Sequence, residues 1–177
     1  MYLVTCRRAC AGLASACLAS MCAPAAAMDL QLQVGRSYMD SYAANAAFVE
    51  SVFNEKPIGS GRFTWAPDIS LGWINGRDLA RFRESRYGTD QDSWLAAGGV
   101  RFRYGDAGSW SHALFFSFQG ALHAGRTEAL SSVGEFVSTA GWQGRRLSFQ
   151  IRHVSNGGLH DPNRGETMLL VGTGFDI

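Results

Sequence analysis

A histidine and a serine two residues apart on an apolar strand are the side chains of this sequence best suited to chemistry. The stretch RLSFQIRHVS, residues 146–155, alternates apolar with polar residues. This alternation predicts a β-strand whose successive side chains point to opposite faces, so His153 and Ser155 share the apolar face. A histidine beside a serine is the minimum pair for an activated nucleophile. The pair therefore predicts nucleophilic catalysis on a face where polar groups are unusual.

The turn that follows, NGGLHDPNRGE, contains the other groups that an esterase needs. The Asn156 side chain and a glycine N–H are candidate donors to an oxyanion, because glycine lets the backbone approach a substrate closely. Glu166 begins the next strand, which pairs with the strand of His153, so the carboxylate can lie near the histidine. Ser155, His153 and Glu166 together predict a serine esterase.

The elements that must position these residues are strands throughout. Residues alternate with a period of two along almost the whole chain, which predicts seven further strands. They span residues 28–35, 45–53, 62–73, 93–104, 114–122, 135–143 and 169–177. The prediction is an all-β protein with eight antiparallel strands.

An eight-stranded barrel can face water or lipid, and three features favour an outer-membrane barrel over a soluble, lipocalin-like one. The less apolar face mixes small, polar and charged residues, which suits a narrow barrel interior. Trp and Tyr residues lie near strand ends, as in interfacial girdles. The connections alternate in length, with outer loops predicted at residues 36–44, 75–92, 124–134 and 156–166, and periplasmic turns at residues 54–61, 105–111 and 143–145.

Composition limits the class of protein further. The chain has 177 residues and a formal net charge of +1, which fits one domain and excludes a nucleic-acid footprint. Residues 1–27 resemble a cleaved secretory signal peptide, with two arginines before an apolar stretch and an A-x-A site at its end. All four cysteines lie in that segment. We therefore expect one cysteine-free barrel domain over residues 28–177, without a membrane helix.

The segment HVSNGGLHDPNRGE resembles the signature of the outer-membrane lipid A 3-O-deacylase family (PagL). The resemblance implies a carboxylic ester hydrolase that removes the 3-O-linked acyl chain of lipid A in lipopolysaccharide, without a metal or other cofactor. It also implies the roles of the site residues. Ser155 is the nucleophile, His153 is the general base and Glu166 is the orienting acid, while Asn156 and Gly158 contribute to the oxyanion hole.

One departure from the family pattern concerns the acid. The family has one residue between the loop glycine and the glutamate, whereas here Glu166 follows Gly165 directly. Alternate residues counted back from Ile177 face the lipid, and Thr167 is one of them. Glu166 therefore points inward. Either a bulge re-aims Glu166, or the acid is weakly placed, or Asp161 substitutes for it.

Other functions stay open at this stage. A non-catalytic structural or adhesive barrel would carry the His-x-Ser incidentally, its side chains meeting lipid head groups. A lipid A acyltransferase or phospholipase could use a similar barrel, and a homodimer is an open assembly state. The outer-loop arginines are candidates to hold lipid phosphates or are solvated charges; they are Arg77, Arg81, Arg83, Arg86, Arg126 and Arg164.

Overall fold

The structure, a computed structural model, describes residues 28–176, which form a closed antiparallel β-barrel. The expected signal peptide lies outside the described residues. The eight long strands are β1 (Met28–Met39), β2 (Tyr42–Phe53), β4 (Phe63–Ile74), β5 (Ser93–Tyr104), β6 (Leu114–Ala124), β7 (Gly134–Gln143), β8 (Leu147–Ser155) and β9 (Glu166–Asp176). A two-residue strand, β3 (Lys56–Pro57), pairs with the start of β4. Pairing of β1 with β9 closes the barrel, which confirms the predicted fold.

Three strands, β1, β2 and β9, are at least three residues longer at the outer end of the barrel than the sequence pattern predicts. β1 and β2 meet in a tight turn at Asp40 and Ser41 in place of the expected loop over residues 36–44. Asp40 has φ 54°, a left-handed conformation that aspartate tolerates better than most residues. β9 begins at Glu166, before the predicted start at residue 169. Charged residues at these ends interrupted the apolar alternation and so concealed the strands.

The outward face of the barrel is an apolar belt bounded by aromatic residues. Trp73 and Trp94 lie against each other near the outer end, with ring centroids 6.4 Å apart. Phe63 and Tyr104 do the same near the inner end, at 4.8 Å. Exposed aliphatic and phenylalanine side chains cover the surface between these pairs. An apolar belt with aromatic margins is the outer surface of a membrane barrel, not of a soluble one.

The inner half of the barrel interior holds a buried charge network. The Glu50 carboxylate accepts hydrogen bonds from Arg101 at 2.7 Å and from Arg152 at 2.6 Å. Arg101 also lies 3.3 Å from a carboxylate oxygen of Asp68. The Arg101 guanidinium stacks on the ring of Phe115, 3.9 Å from its centroid. Buried cations therefore have anionic and aromatic partners, as a barrel filled with side chains requires.

The outer half of the interior contains an apolar cluster that is covered by two loops. Phe82, from the loop over residues 75–92, and Leu130, from the loop over residues 125–133, are buried against strand residues such as Met39 and Met168. These loop residues occupy the mouth of the barrel. Their burial fixes the loops on the strand ends, including the ends that carry the candidate site.

The long outer loop is anchored at its base by Asp92. Its carboxylate accepts hydrogen bonds from the Gly76 N–H, the Trp73 indole and the Asn75 amide, at 2.8 to 3.0 Å. These bonds, with the Gly76 N–H first, hold the pKa of Asp92 below its ordinary value. The loop also contains a short 3-10 turn, Ala80–Phe82.

An α-helical turn, Trp110–Ala113, lies in the connection between β5 and β6. Among residues 28–176 no helix has both the length and the apolar character to cross a membrane.

Candidate active site

His153 and Ser155 lie at the outer end of β8 and both point outward, as predicted. His153 is exposed and Ser155 is half-buried. Ser155 stands opposite Phe136 of β7, and the Phe136 ring stacks on Phe118 of β6 at 5.8 Å. Within residues 28–176 no hydrogen bond joins the Ser155 hydroxyl to the histidine. Side chains of this kind often draw together only when a substrate is bound.

The histidine is held by a threonine. His153 and Thr167 are register partners across β8 and β9, and His153 Nδ1 lies 3.0 Å from Thr167 Oγ1. A neutral imidazole can donate its Nδ1–H to this hydroxyl, which leaves Nε2 free to accept a proton. The contact is compatible with the tautomer that a general base needs.

Glu166 takes the inward face, as the parity counted back from Ile177 predicted, and its carboxylate does not lie beside His153. β9 is regular from its first residue, so Glu166 takes the inward parity and Thr167 the outward one. The Glu166 carboxylate is 2% exposed and accepts hydrogen bonds from Arg77 at 2.6 and 2.7 Å and from the Ser37 hydroxyl at 2.6 Å. A carboxylate bound on both oxygens inside the barrel cannot orient a ring on the outer wall.

Asp161 does not replace Glu166 in the structure. It is exposed in the loop over residues 156–165, and among the described residues it makes no hydrogen bond to His153. The neutral Thr167 hydroxyl is thus the group that faces Nδ1.

The two expected oxyanion donors form the turn after β8. Asn156 is buried, and its Oδ1 accepts the Gly158 N–H at 2.9 Å, while its Nδ2 donates to His160 O at 2.8 Å. Leu159 N donates to Asn156 O at 3.3 Å, and Gly157 and Gly158 both have positive φ, as in a type I′ turn. The Asn156 side chain therefore shapes the turn beside Ser155.

Gly165 leaves the space in which the histidine ring lies. A Cβ at this position would be 2.9 Å from His153 Cε1 and 3.3 Å from Nε2. Gly165 also has φ 68° and donates its N–H to Ala129 O at 3.0 Å. A left-handed residue without a side chain is needed here, because the imidazole lies against its Cα.

The site continues as a polar row along the outer rim. Ser138, His153, Thr167 and Tyr38 are successive register partners on β7, β8, β9 and β1. From this row only His153 was a candidate by residue type and motif, although the parity that put Thr167 outward was a usable signal. Ser138 and Tyr38 become visible only when the strand register is known.

An apolar groove lies below the polar row, toward the middle of the membrane. Outward side chains of β7, β8 and β9 line it, and the small Ala140 makes it concave; the other outward lining residues are Phe149, Ile151, Leu169 and Val171. The groove extends as far as Ile151, two residues before His153 on β8. Its shape and position suit an extended hydrocarbon chain.

The described residues contain no group of three or more His, Cys, Asp or Glu side chains placed to hold a metal ion.

The fold and site define a class, a small outer-membrane β-barrel with a polar site on its outer wall. The sequence model of the lipid A 3-O-deacylase (PagL) family matches residues 96–176. The solved crystal structure of the outer membrane enzyme PagL matches with a TM-score of 0.57 and 17% identity, covering 84% of this chain and 99% of that chain. No curated protein sequence matches the chain. The predicted resemblance, barrel fold and outer-membrane location are confirmed.

Proposed function

We propose that this chain is an outer-membrane ester hydrolase that removes the 3-O-linked acyl chain of lipid A. One observation carries the proposal. A serine and a histidine face the lipid at the rim, with a hydrogen bond at the histidine Nδ1 and an apolar groove that ends two residues away, at Ile151. Polar side chains on a lipid-facing surface are costly and usually functional. The family whose model matches residues 96–176, named for lipid A deacylation, supplies the substrate class.

The proposed mechanism uses Ser155 as nucleophile and His153 as base. His153 Nε2 takes the hydroxyl proton as Ser155 Oγ attacks the ester carbonyl carbon. The tetrahedral intermediate collapses, and the bond between the acyl carbon and the sugar oxygen breaks. The imidazolium gives its proton to that sugar oxygen. Water, deprotonated by the same histidine, then attacks the acyl-serine and releases the fatty acid. In the first half-reaction His153 passes the serine proton to the sugar oxygen. In the second it passes the water proton to Ser155 Oγ.

Thr167, not Glu166, is the orienting residue in this proposal. Its hydroxyl accepts the Nδ1–H of His153 and so keeps Nε2 unprotonated and facing the rim. It has no negative charge, so it orients the ring without stabilising the imidazolium as a carboxylate does. We therefore expect slower turnover than a Ser–His–carboxylate site would give.

The oxyanion role of Asn156 and Gly158 remains part of the proposal in a restricted form. Asn156 Nδ2 carries two N–H groups, and its bond to His160 O uses one. The second is left to donate to a developing oxyanion. The Gly158 N–H can contribute only when its bond to the Asn156 amide oxygen opens.

The groove below His153 explains how a lipid reaches the site. An acyl chain in the outer leaflet can lie along Ile151 and Leu169 while its ester remains at the level of the polar row. The substrate need not leave the membrane. Burial of the chain against the wall adds favourable apolar contact at each methylene.

The test is mass spectrometry of lipid A from outer membranes that contain the wild type, Ser155→Ala or the matched control Ser51→Ala. Ser51 is an outward serine of β2, away from the site. We expect loss of one 3-O-linked acyl chain with wild type and control, and intact lipid A with Ser155→Ala. Unchanged lipid A in all three would refute the hydrolase, and full activity of Ser155→Ala would refute the nucleophile.

One observation favours a second candidate, a lipid-binding barrel without hydrolysis. No carboxylate contacts His153 among the described residues, and the Ser155 hydroxyl is not bonded to it. The same experiment separates the candidates, since the second gives no mass change. A gain of lipid A mass would instead indicate acyl transfer, and loss of phospholipid chains a phospholipase. The homodimer has no support in the comparisons and stays a prediction.

A further inference from the structure

Arg36 bears the only fixed charge on the outward face of the eight long strands, within the part of the chain that the structure describes. It is exposed on β1, where Val34 and Tyr38 are its outward neighbours along the strand. Its cross-strand partners are Leu169 on β9 and Asn45 on β2. The other charged side chains of these strands take the inward parity. A lone cation in an apolar belt needs an explanation.

The explanation is not an internal ion pair. The Arg36 guanidinium donates to the neutral amide oxygen of Asn45, and among residues 28–176 no carboxylate lies within ion-pair distance of it. The position lies near the outer end of β1, where a long arginine can direct its head group toward the lipid head groups. Most of its hydrogen-bond donors therefore remain available to a ligand at the membrane surface.

Four of the six outer-loop arginines have acidic partners. Arg77 is bound to Glu166 inside the barrel, and Arg83 is paired with Asp78. Two more, Arg81 and Arg164, share the carboxylate of Asp40. The remaining two candidates, Arg86 and Arg126, are exposed in loops and do not lie on the strand wall. Arg36 was not among the sequence-based candidates, yet it faces the lipid from a strand without an acidic partner.

Arg36 is also placed on the same wall as the His–Ser pair. Tyr38 lies in the register row of Thr167 and His153, and Arg36 is two residues before Tyr38 on β1, in the row of Leu169. β9 lies between β8 and β1, so the His–Ser pair and Arg36 are two to three strand spacings apart, on the order of 10–15 Å. A sugar head group lying along the rim can place its ester at Ser155 and an anionic substituent at Arg36.

We propose that Arg36, positioned by Asn45, binds a phosphate of the lipid substrate and thereby sets which ester reaches Ser155. The inference rests on the proposed hydrolase and names the part of the head group that the site recognises. Arginine suits this role because its planar fork matches phosphate oxygens and keeps its charge. The carboxylate of the released fatty acid has the same chemistry, so an experiment must separate the two anions.

The experiment compares purified wild type, Arg36→Gln, Arg36→Lys and the control Arg83→Gln on diphosphoryl and dephosphorylated lipid A in mixed micelles. We expect Arg36→Gln to lower kcat/KM on the diphosphoryl form about tenfold and to leave the dephosphorylated form unchanged. Arg36→Lys should retain part of the preference, because it keeps charge but not the fork. Arg83→Gln should match the wild type. Removing a lipid-facing charge does not threaten folding, which heat-modifiable gel migration checks.

The outcomes separate this inference from the proposed function. Equal effects of Arg36→Gln on both substrates, or no effect on either, would overturn the phosphate site. If Arg36→Gln is inhibited less by added fatty acid than the wild type but keeps the preference for diphosphoryl lipid A, Arg36 binds the product. That result would also overturn the phosphate site. If the wild type hydrolyses neither substrate, the hydrolase fails. In that case Arg36 is still tested by binding. Tryptophan fluorescence would measure the affinity of the Ser155→Ala variant and of the Ser155→Ala, Arg36→Gln double variant for both lipids.

Discussion

Substitution of Thr167 tests how His153 is held, since this residue makes the one hydrogen bond to Nδ1 seen among residues 28–176. Thr167→Val keeps the shape and removes the hydroxyl. Thr167→Ser keeps the hydroxyl. Thr167→Glu supplies at the exposed end of β9 the carboxylate that Glu166 cannot offer from inside the barrel. The three variants separate orientation by a neutral group from stabilisation by a charge.

The expected changes in kcat follow from the strength of the hydrogen bond between Thr167 and His153 and from its exposure to solvent. A neutral hydrogen bond contributes about 1 kcal/mol, so Thr167→Val should lower kcat about fivefold and Thr167→Ser should stay near the wild type. A charge-assisted bond is about twice as strong, which adds roughly another 1 kcal/mol in Thr167→Glu. Solvent screening at this exposed site keeps the gain modest. We expect Thr167→Glu to exceed the wild type about fivefold to tenfold.

The assay is the initial rate of fatty-acid release from lipid A, with heat-modifiable migration as the folding control. A full rate in Thr167→Val would show that the hydroxyl does not orient the ring. No gain in Thr167→Glu, together with complete loss in a folded Glu166→Gln protein, would return the acid to Glu166 and refute the assignment made from the register.

Three further predictions concern the supports of the site. Glu166→Gln leaves the Arg77 guanidinium buried without a counter-charge, so we expect thermal destabilisation worth about 3 kcal/mol, with activity largely retained well below the Tm. Gly165→Ala places a methyl group against His153 in a left-handed conformation; activity should fall at least tenfold while Tm falls by only a few degrees, about 1–2 kcal/mol. Glu50→Gln removes the anion between two buried guanidinium groups and should lower the free energy of unfolding by about 3–5 kcal/mol, measured by urea titration in detergent, without a change in substrate preference.

The strands that could be predicted from sequence are those with an uninterrupted period of two. β5 was predicted with its observed bounds, and β8 was wrong by one residue, because apolar side chains alternate along both. The outer ends of β1 and β9 were missed, since Arg36, Asp40 and Glu166 there do not follow the apolar alternation.

The site was predictable to the extent that its residues are close in sequence. His153 and Ser155 follow from one strand, and their outward direction was correct. The partner of the histidine depends on the register between two strands, which sequence spacing alone does not fix. Parity already indicated Thr167, whereas the family motif indicated Glu166. The buried pair of Glu166 with Arg77 is a contact between residues far apart in the chain and could not be read from either.

Side chains fill the interior of this barrel. A charge network occupies its inner half, and loop residues such as Phe82 and Leu130 are buried at its mouth. The proposed reactive groups lie on the outside of the wall, so turnover of a membrane lipid there needs neither a pore nor a cavity inside the barrel. The interior side chains can therefore serve the stability of the barrel alone.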